Sequence, residues 1–499
     1  MPPPKKLRRS AGFTVDHSGL LGLNRDMTDD NDFSESRKII ADLRSEMARE
    51  EANSAKDKTE PVEKIILLPH KEPATKLAED LMAYIEMRGP VTLHDYIAQT
   101  SNHRQHGYYQ QAAEKIGSGG DFVTSPEISQ LFGEMIAVWL MSAWKALGSP
   151  KNVNLIELGP GRGTLMKDIL RVAYQFPEFR DAISVHMVDV SDVMRTLQRE
   201  ALGCESTVSK SSEGVTRMTN KDGIQISWYD TFSQVKNTNP ILVVAQEFLD
   251  VFPVHQFVYT KKGWREKLVD MDKSMESKLN FRQVISPSET PAARILLGKE
   301  STISSISPDK KEESEENVTD VSTAKTREIV AQLTVGDEIE ISPLALSTIE
   351  YVSQRVVSSR GAVLLIDYGE QFTQGDSLRA FKKHTQVSVY SEPGNVDITA
   401  DVDFSLCGKT AKKQGAEVHG SIRQGEFLMR MGIVERASNL IELPSTSDDT
   451  AEEMVTCLRR LVGDAEDGLG KRFKVMAITD PLTRVEGFDN SIVSSDAAQ

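Results

Sequence analysis

Three glycines at alternate positions, Gly159, Gly161 and Gly163, sit in the run Leu155-Ile156-Glu157-Leu158-Gly159-Pro160-Gly161-Arg162-Gly163-Thr164. A ligand can press against backbone only where side chains are absent, and glycine supplies that surface. The helix expected to follow offers free amide groups and a positive dipole end, which suit a carboxylate. The methionine end of S-adenosylmethionine carries one. The dinucleotide pattern G-x-G-x-x-G instead wants a small third residue for helix–strand packing. Counted from Gly159 that place falls on Thr164, and counted from Gly161 on Met166. The G-x-G-x-G spacing, with Glu157 at the strand end, therefore favours S-adenosylmethionine over a nicotinamide cofactor. A simple Gly/Pro turn is the bland alternative.

Asp189 ends the next expected strand, where a carboxylate can accept hydrogen bonds from both ribose hydroxyls. It could instead cap the helix that starts near Ser191. Glu157 could act through water on the methionine ammonium, or only stabilise the loop. The segment Gln246-Glu247-Phe248-Leu249-Asp250-Val251-Phe252-Pro253 follows a wholly apolar strand, at the carboxyl edge where ligands of doubly wound sheets bind. Gln246 belongs there to the cofactor side. Glu247 and Asp250 could clamp a guanidinium through charge-assisted hydrogen bonds and turn its nitrogen toward a methyl donor. Methyl transfer to a positioned nucleophile depends mainly on alignment, so no strong base is needed. A turn-capping role explains Asp250 equally well.

The elements that must position these residues alternate. Strands are expected over 153–158, 183–190, 224–229, 241–245 and 361–367, with helices over 165–174, 191–201 and 343–357. That alternation means a parallel sheet covered by helices on both faces. One more strand over 472–478 reads as an antiparallel edge. Upstream, a helix opens near Thr75 and ends at Gly89-Pro90, and a second over 91–99 is capped by Thr92. Ser125, Pro126 and Glu127 read as a helix start that continues through Trp139 and Trp144. His255 lies on a strand-like stretch, where a satisfied core histidine is the common outcome.

Composition narrows the classes. The chain has 499 residues, 39% hydrophobic and 27% charged, with a net charge of −15. That charge argues against non-specific nucleic-acid binding and suits a basic, arginine-bearing partner. The apolar runs over 135–141 and 362–366 fall far short of a membrane span. Cys204, Cys407 and Cys457 are far apart and fit neither a disulfide framework nor a metal site, and no His/Cys/Asp grouping has metal spacing. Residues 1–70 read as a disordered tail in which a basic start could be a targeting segment. Residues 71–150 read as a helical region packing on the cofactor site, 151–480 as the catalytic domain with a disordered insertion over 299–326, and 481–499 as a tail.

Several segments together resemble the mitochondrial complex I assembly-factor protein arginine methyltransferases, also called MidA-like proteins. They are GDFVTSPEISQLFGEMIAVW over 120–139, IELGPGRGTLMKDILR over 156–171, QEFLDVFPVH over 246–255, GAVLLIDYG over 361–369, PGNVDITADVDF over 393–404 and FLMRMGI over 427–433. The resemblance implies a Rossmann-like class I methyltransferase fold, α/β with a mostly parallel seven-stranded sheet and an added N-terminal helical region. It implies an S-adenosyl-L-methionine-dependent enzyme that symmetrically dimethylates arginine on a complex I subunit in the mitochondrial matrix. By the same match Gly159, Gly161 and Gly163 hold the cofactor, and Thr124, Ser125 and Glu127 form part of its pocket. A non-catalytic complex I assembly chaperone that keeps the fold is the alternative.

Overall fold

The computed structural model describes residues 71–111, 123–204, 209–210, 215–236, 238–274, 276–297, 334–372, 375–465 and 468–488; the expected tail over 1–70 and insertion over 299–326 lie outside them. Five strands, Val153–Leu158, Ile183–Val188, Gln225–Tyr229, Ile241–Gln246 and Gly361–Glu370, pair in parallel. Their spatial order is 361–370, 241–246, 153–158, 183–188, 225–229. Strands 153–158 and 241–246 are buried at every position, which accounts for their mostly apolar sequences. Helices Gln130–Ala146 and Thr164–Ala173 contribute to the core on one face, and Pro343–Ser359 and Phe404–Lys413 to the core on the other.

Two expectations about this sheet need correcting. Phe473–Thr479 is antiparallel as foreseen, but it lies between Gly361–Glu370 and Glu417–Arg423 and is no edge. Among the described residues the sheet has ten strands, where seven were expected. Ser209–Lys210 and Thr216–Thr219 extend one end, and Val402–Asp403 pairs beside residues 369–370. Strands of two to four residues are too short to show a period-two pattern.

The helix foreseen from Ser125 to Trp144 is in fact two. Thr124 is the first cap, Ser125–Ile128 makes one turn, and Ser129 adopts an extended conformation. The Ser129 hydroxyl then accepts from Leu131 N and opens Gln130–Ala146. This kink turns residues 124–128 over the sheet edge while Phe132 and Trp139 sink into the core, each fully buried.

Upstream, Thr75 caps Lys76–Arg88 and Thr92 caps Leu93–Asn102. Their buried faces, with Leu77, Leu81 and Ile97, do not meet the central sheet. They pack against Val269, Phe281 and Ile398 of two smaller sheets that the sequence did not reveal. One joins Val91–Thr92, Gly263–Met271, His255–Thr260 and Glu338–Ile341, with Phe281–Ile285 alongside; the other joins Arg379–Lys382, Thr385–Val387 and Asp397–Thr399. Apart from Val91–Thr92, both are built from chain that leaves the carboxyl ends of strands 241–246 and 361–370, so they stand over the ligand-binding edge. His255 is a satisfied residue, its Nδ1 2.6 Å from Glu266 Oε1 and its ring stacked on His94 at 4.5 Å. The C-terminal tail begins later than 481, because Val485 is buried and Trp139 Nε1 donates to Glu486 O at 3.2 Å.

Glu134, on the buried face of Gln130–Ala146, ties this helix to two others. It accepts from Arg171 Nη1 at 2.8 Å and from Arg436 Nε at 2.6 Å. Glu134→Ala should cost about 2–3 kcal/mol and lower the thermal unfolding midpoint by several degrees. An unchanged midpoint would show that the two arginines find equivalent partners in water.

Candidate functional site

The three glycines of the loop take positive φ, 63° at Gly159, 49° at Gly161 and 84° at Gly163. Each glycine has its own reason. A Cβ on Gly159 would lie 2.7 Å from the Phe248 ring, so the loop closes directly against the 246–253 segment. A Cβ on Gly161 would meet no protein atom within 4 Å, because this glycine borders open cavity. Gly163 caps Thr164–Ala173, and a Cβ on it would lie 3.2 Å from Gln198 Cα. It supports the loop from behind and does not line the cavity, unlike the other two.

Glu157 and Asp189 end adjacent strands. Glu157 is buried, and its Oε2 has no hydrogen-bond partner among the described residues. Burial, with repulsion from Asp189 second, pushes its carboxyl up to about 8. Asp189 is also raised by burial, against the backbone N–H of Ser191 on Oδ1 at 2.8 Å and Gln198 Nε2 on Oδ2 at 2.7 Å. Ser191 is thus both helix cap and orienter of the acid, so the capping reading of Asp189 passes to its neighbour.

Gln198 gave no signal in the sequence. Its Nε2 donates to Gly161 O at 2.8 Å as well as to Asp189, and its Oε1 accepts from Trp228 Nε1 at 2.9 Å. One buried amide therefore fixes the glycine loop relative to Asp189. Helical spacing placed it on the inner face, but nothing local marked its partners.

The turn after strand 241–246 supplies the facing wall. Glu247 has φ of 50°, a conformation that costs a non-glycine residue about 1–3 kcal/mol and persists where surroundings enforce it. Gln246 Nε2 and the backbone N–H of Ser125 hold its carboxylate. Burial, then repulsion from Asp250, pushes Glu247 up to about 8. Asp250 accepts from Thr399 Oγ1 at 2.8 Å, while its buried Oδ1 has no partner; burial and then Asp367 raise its carboxyl well above the ordinary range. The turn itself hangs on Asp367, whose Oδ2 accepts the backbone N–H groups of Phe248 and Leu249 at 3.1 and 2.9 Å. The capping role considered for Asp250 belongs to Asp367.

Thr124 and Glu127 border the same cavity, and burial raises Glu127. Ser125 is placed otherwise: its hydroxyl donates to Gln424 Oε1 at 3.2 Å, and only its backbone faces the site, through Glu247. The cavity measures about 540 Å³. Glu127, Glu157, Asp189, Asp230, Glu247, Asp250 and Asp397 line it against Arg162 and Arg472. Asp397, on the three-stranded sheet, is a further acid the sequence reading missed.

A ligand that fits here brings positive charge, since buried carboxylates are stabilised by a nearby cation. S-adenosyl-L-methionine has a sulfonium and an ammonium group. The open cradle at Gly161 and the unpartnered Glu157 Oε2 are where such a molecule would rest.

Comparison with known proteins agrees with this geometry. A family model of S-adenosyl-L-methionine-dependent methyltransferases matches residues 135–422. The human protein arginine methyltransferase NDUFAF7, mitochondrial, is 35% identical over 84% of this chain and 86% of its own. The mouse protein of the same name is 37% identical over 83% and 86%. Among solved structures, a Burkholderia thailandensis protein bound to S-adenosyl-homocysteine shares the fold, with a TM-score of 0.62 at 23% identity over 82% of this chain and 93% of its own.

S-adenosyl-L-methionine should bind with release of a proton, because Glu157 is held near 8 and must ionise beside the cation. Affinity should therefore fall as pH drops below about 8. Calorimetry in buffers of different ionisation heat measures the protons. Glu157→Gln should release about one fewer and bind at least about tenfold more weakly, and Gly161→Val should abolish binding. In the ligand-free protein the raised folded pKa makes stability fall as pH climbs from the unfolded value of 4.5 toward 8. Glu157→Gln should flatten that fall. Affinity independent of pH, without proton release, would sink the assignment.

Proposed function

We propose that this chain, which belongs to the family of S-adenosyl-L-methionine-dependent methyltransferases typified by the mitochondrial arginine methyltransferases, methylates the guanidinium group of a protein arginine. S-adenosyl-L-methionine supplies an electrophilic methyl carbon when bound. Asp189, fixed by Ser191 and Gln198, is placed to accept from ribose hydroxyls. Glu157 is placed for the ammonium end.

One observation carries the acceptor assignment. Glu247, half-buried, and Asp250, buried, are two carboxylates from a single turn, on the wall of the cavity that Glu157 and Asp189 also line. A guanidinium offers five N–H donors in a plane and satisfies two carboxylates at once. The two acids hold the plane so that one nitrogen faces the methyl carbon, which is alignment rather than strong base catalysis. That nitrogen sheds a proton as its bond to carbon forms. Glu247, already held near 8, is placed to take it.

The finer reading is symmetric dimethylation of an arginine on a complex I subunit, carried out in the mitochondrial matrix during assembly. The segment-by-segment resemblance supports the product and the target, and the mitochondrial names of the relatives support the compartment.

Glu247→Gln should lower kcat about 100-fold or more while S-adenosyl-L-methionine affinity stays within about threefold. Mass spectrometry of complex I subunits from cells carrying the parent or this variant identifies the residue and its methylation state. Methyl groups confined to lysine, or unchanged arginine methylation in the variant, would rule the reading out. So would full rescue of complex I assembly by a folded Gly161→Val, Asp189→Ala protein that binds no cofactor.

A further inference from the structure

The cavity has a wall that belongs to neither the glycine loop nor the Gln246–Pro253 turn. Strand Asp397–Thr399 of the small three-stranded sheet docks on that turn, with Thr399 Oγ1 donating to Asp250 Oδ2 at 2.8 Å and Ala400 N to Asp250 O at 2.9 Å. Docking places Asp397 on the cavity, 7% exposed, close enough to Asp250 to repel its charge. Tyr109, from the single turn Tyr108–Gln110, donates its hydroxyl to Asp397 Oδ1 at 2.6 Å. Arg379, the cation that acts on Asp250, is ion-paired with Asp401.

We infer that Asp397, oriented by Tyr109, is the third carboxylate of the acceptor site, and that it selects a guanidinium over an ammonium group. The inference rests on the arginine reading above. Glu247 and Asp250 approach from one turn, whereas Asp397 approaches from a separate sheet. Acceptors arriving from two elements match a planar fork with donors on several edges. A lysine ammonium is a compact point charge with three donors and gains less from the second wall. The unpartnered, buried Asp250 Oδ1 marks the place between the walls as one that expects a donor.

Tyr109 also reaches the other half of the site. Its carbonyl accepts from the Ser191 hydroxyl at 3.0 Å, and the Ser191 backbone N–H holds Asp189. Tyr109 is thus a positioning residue between the cofactor's carboxylate and the acceptor's.

The test uses the full chain saturated with S-adenosyl-homocysteine, with agmatine as a guanidinium probe and 1,5-diaminopentane as an ammonium probe, titrated by NMR. The parent should bind agmatine at least tenfold more tightly than the diamine. Asp397→Asn should weaken agmatine at least tenfold, leave the diamine within threefold, and leave S-adenosyl-homocysteine affinity unchanged. Tyr109→Phe should give a smaller loss of the same kind, and decides the matter if Asp397→Asn does not fold. A parent that prefers agmatine while the variants keep that preference would overturn the role of Asp397 and leave the arginine reading standing. Weakening of both probes and the cofactor together would mark Asp397 as structural. A parent that binds neither probe, or prefers the diamine, would overturn the arginine reading and this inference with it.

Discussion

Burying negative charge without enough positive charge beside it is the constraint from which the rest of this molecule follows. Seven acidic side chains border one cavity with two arginines. A buried carboxylate is tolerated only when hydrogen bonds or a cation compensate it, and otherwise it keeps its proton. The protein compensates some and leaves others. Asp367 and Asp189 receive backbone N–H groups and become rigid parts of the frame. Among the described residues Glu127, Glu157 and Asp250 each keep a buried oxygen with no partner, and all three border the cavity.

The frame itself depends on the carboxyl edge of a parallel sheet. Glu157, Asp189 and Gln246 lie at or just past the carboxyl ends of three parallel strands, and Asp367 lies three residues before the end of a fourth. Strand pairing brings them to one edge without any sequence adjacency. Backbone amides are free there, because the ladder stops and the following helices have not yet begun. The strained φ at Glu247 belongs to the same place, where the chain must turn sharply while keeping its side chain toward the cavity.

Legibility in the sequence tracks the range over which each residue is held. The glycine loop and Asp189 are local devices that residue type and spacing singled out, while the cap considered for Asp189 belongs to Ser191. Ser125 was misjudged because its type and neighbours suggested a cap, while Gln424, 299 positions away, takes its hydroxyl. The cap is Thr124. Tyr109 and Asp397 are separated by 288 positions, so no window of sequence contains both. The two small sheets were missed for a related reason: their short antiparallel strands are stabilised mainly by packing against helices Lys76–Arg88 and Leu93–Asn102, distant in the chain.

Those sheets turn a cofactor fold into one with room for a second substrate. A doubly wound sheet alone offers a crevice at its carboxyl edge, open on the far side. Here the chain leaving strands 241–246 and 361–370 folds back as strands instead of returning at once through a helix, and it closes that far side with Asp397 and Thr399. Thr399 then spends its hydroxyl on Asp250 Oδ2, leaving Oδ1 for whatever enters. The cofactor half is made by residues that alternate strand and helix, and the acceptor half by residues that depart from that alternation. A change in substrate would therefore be sought in the small sheets, since altering the edge of the large one would disturb the cofactor as well.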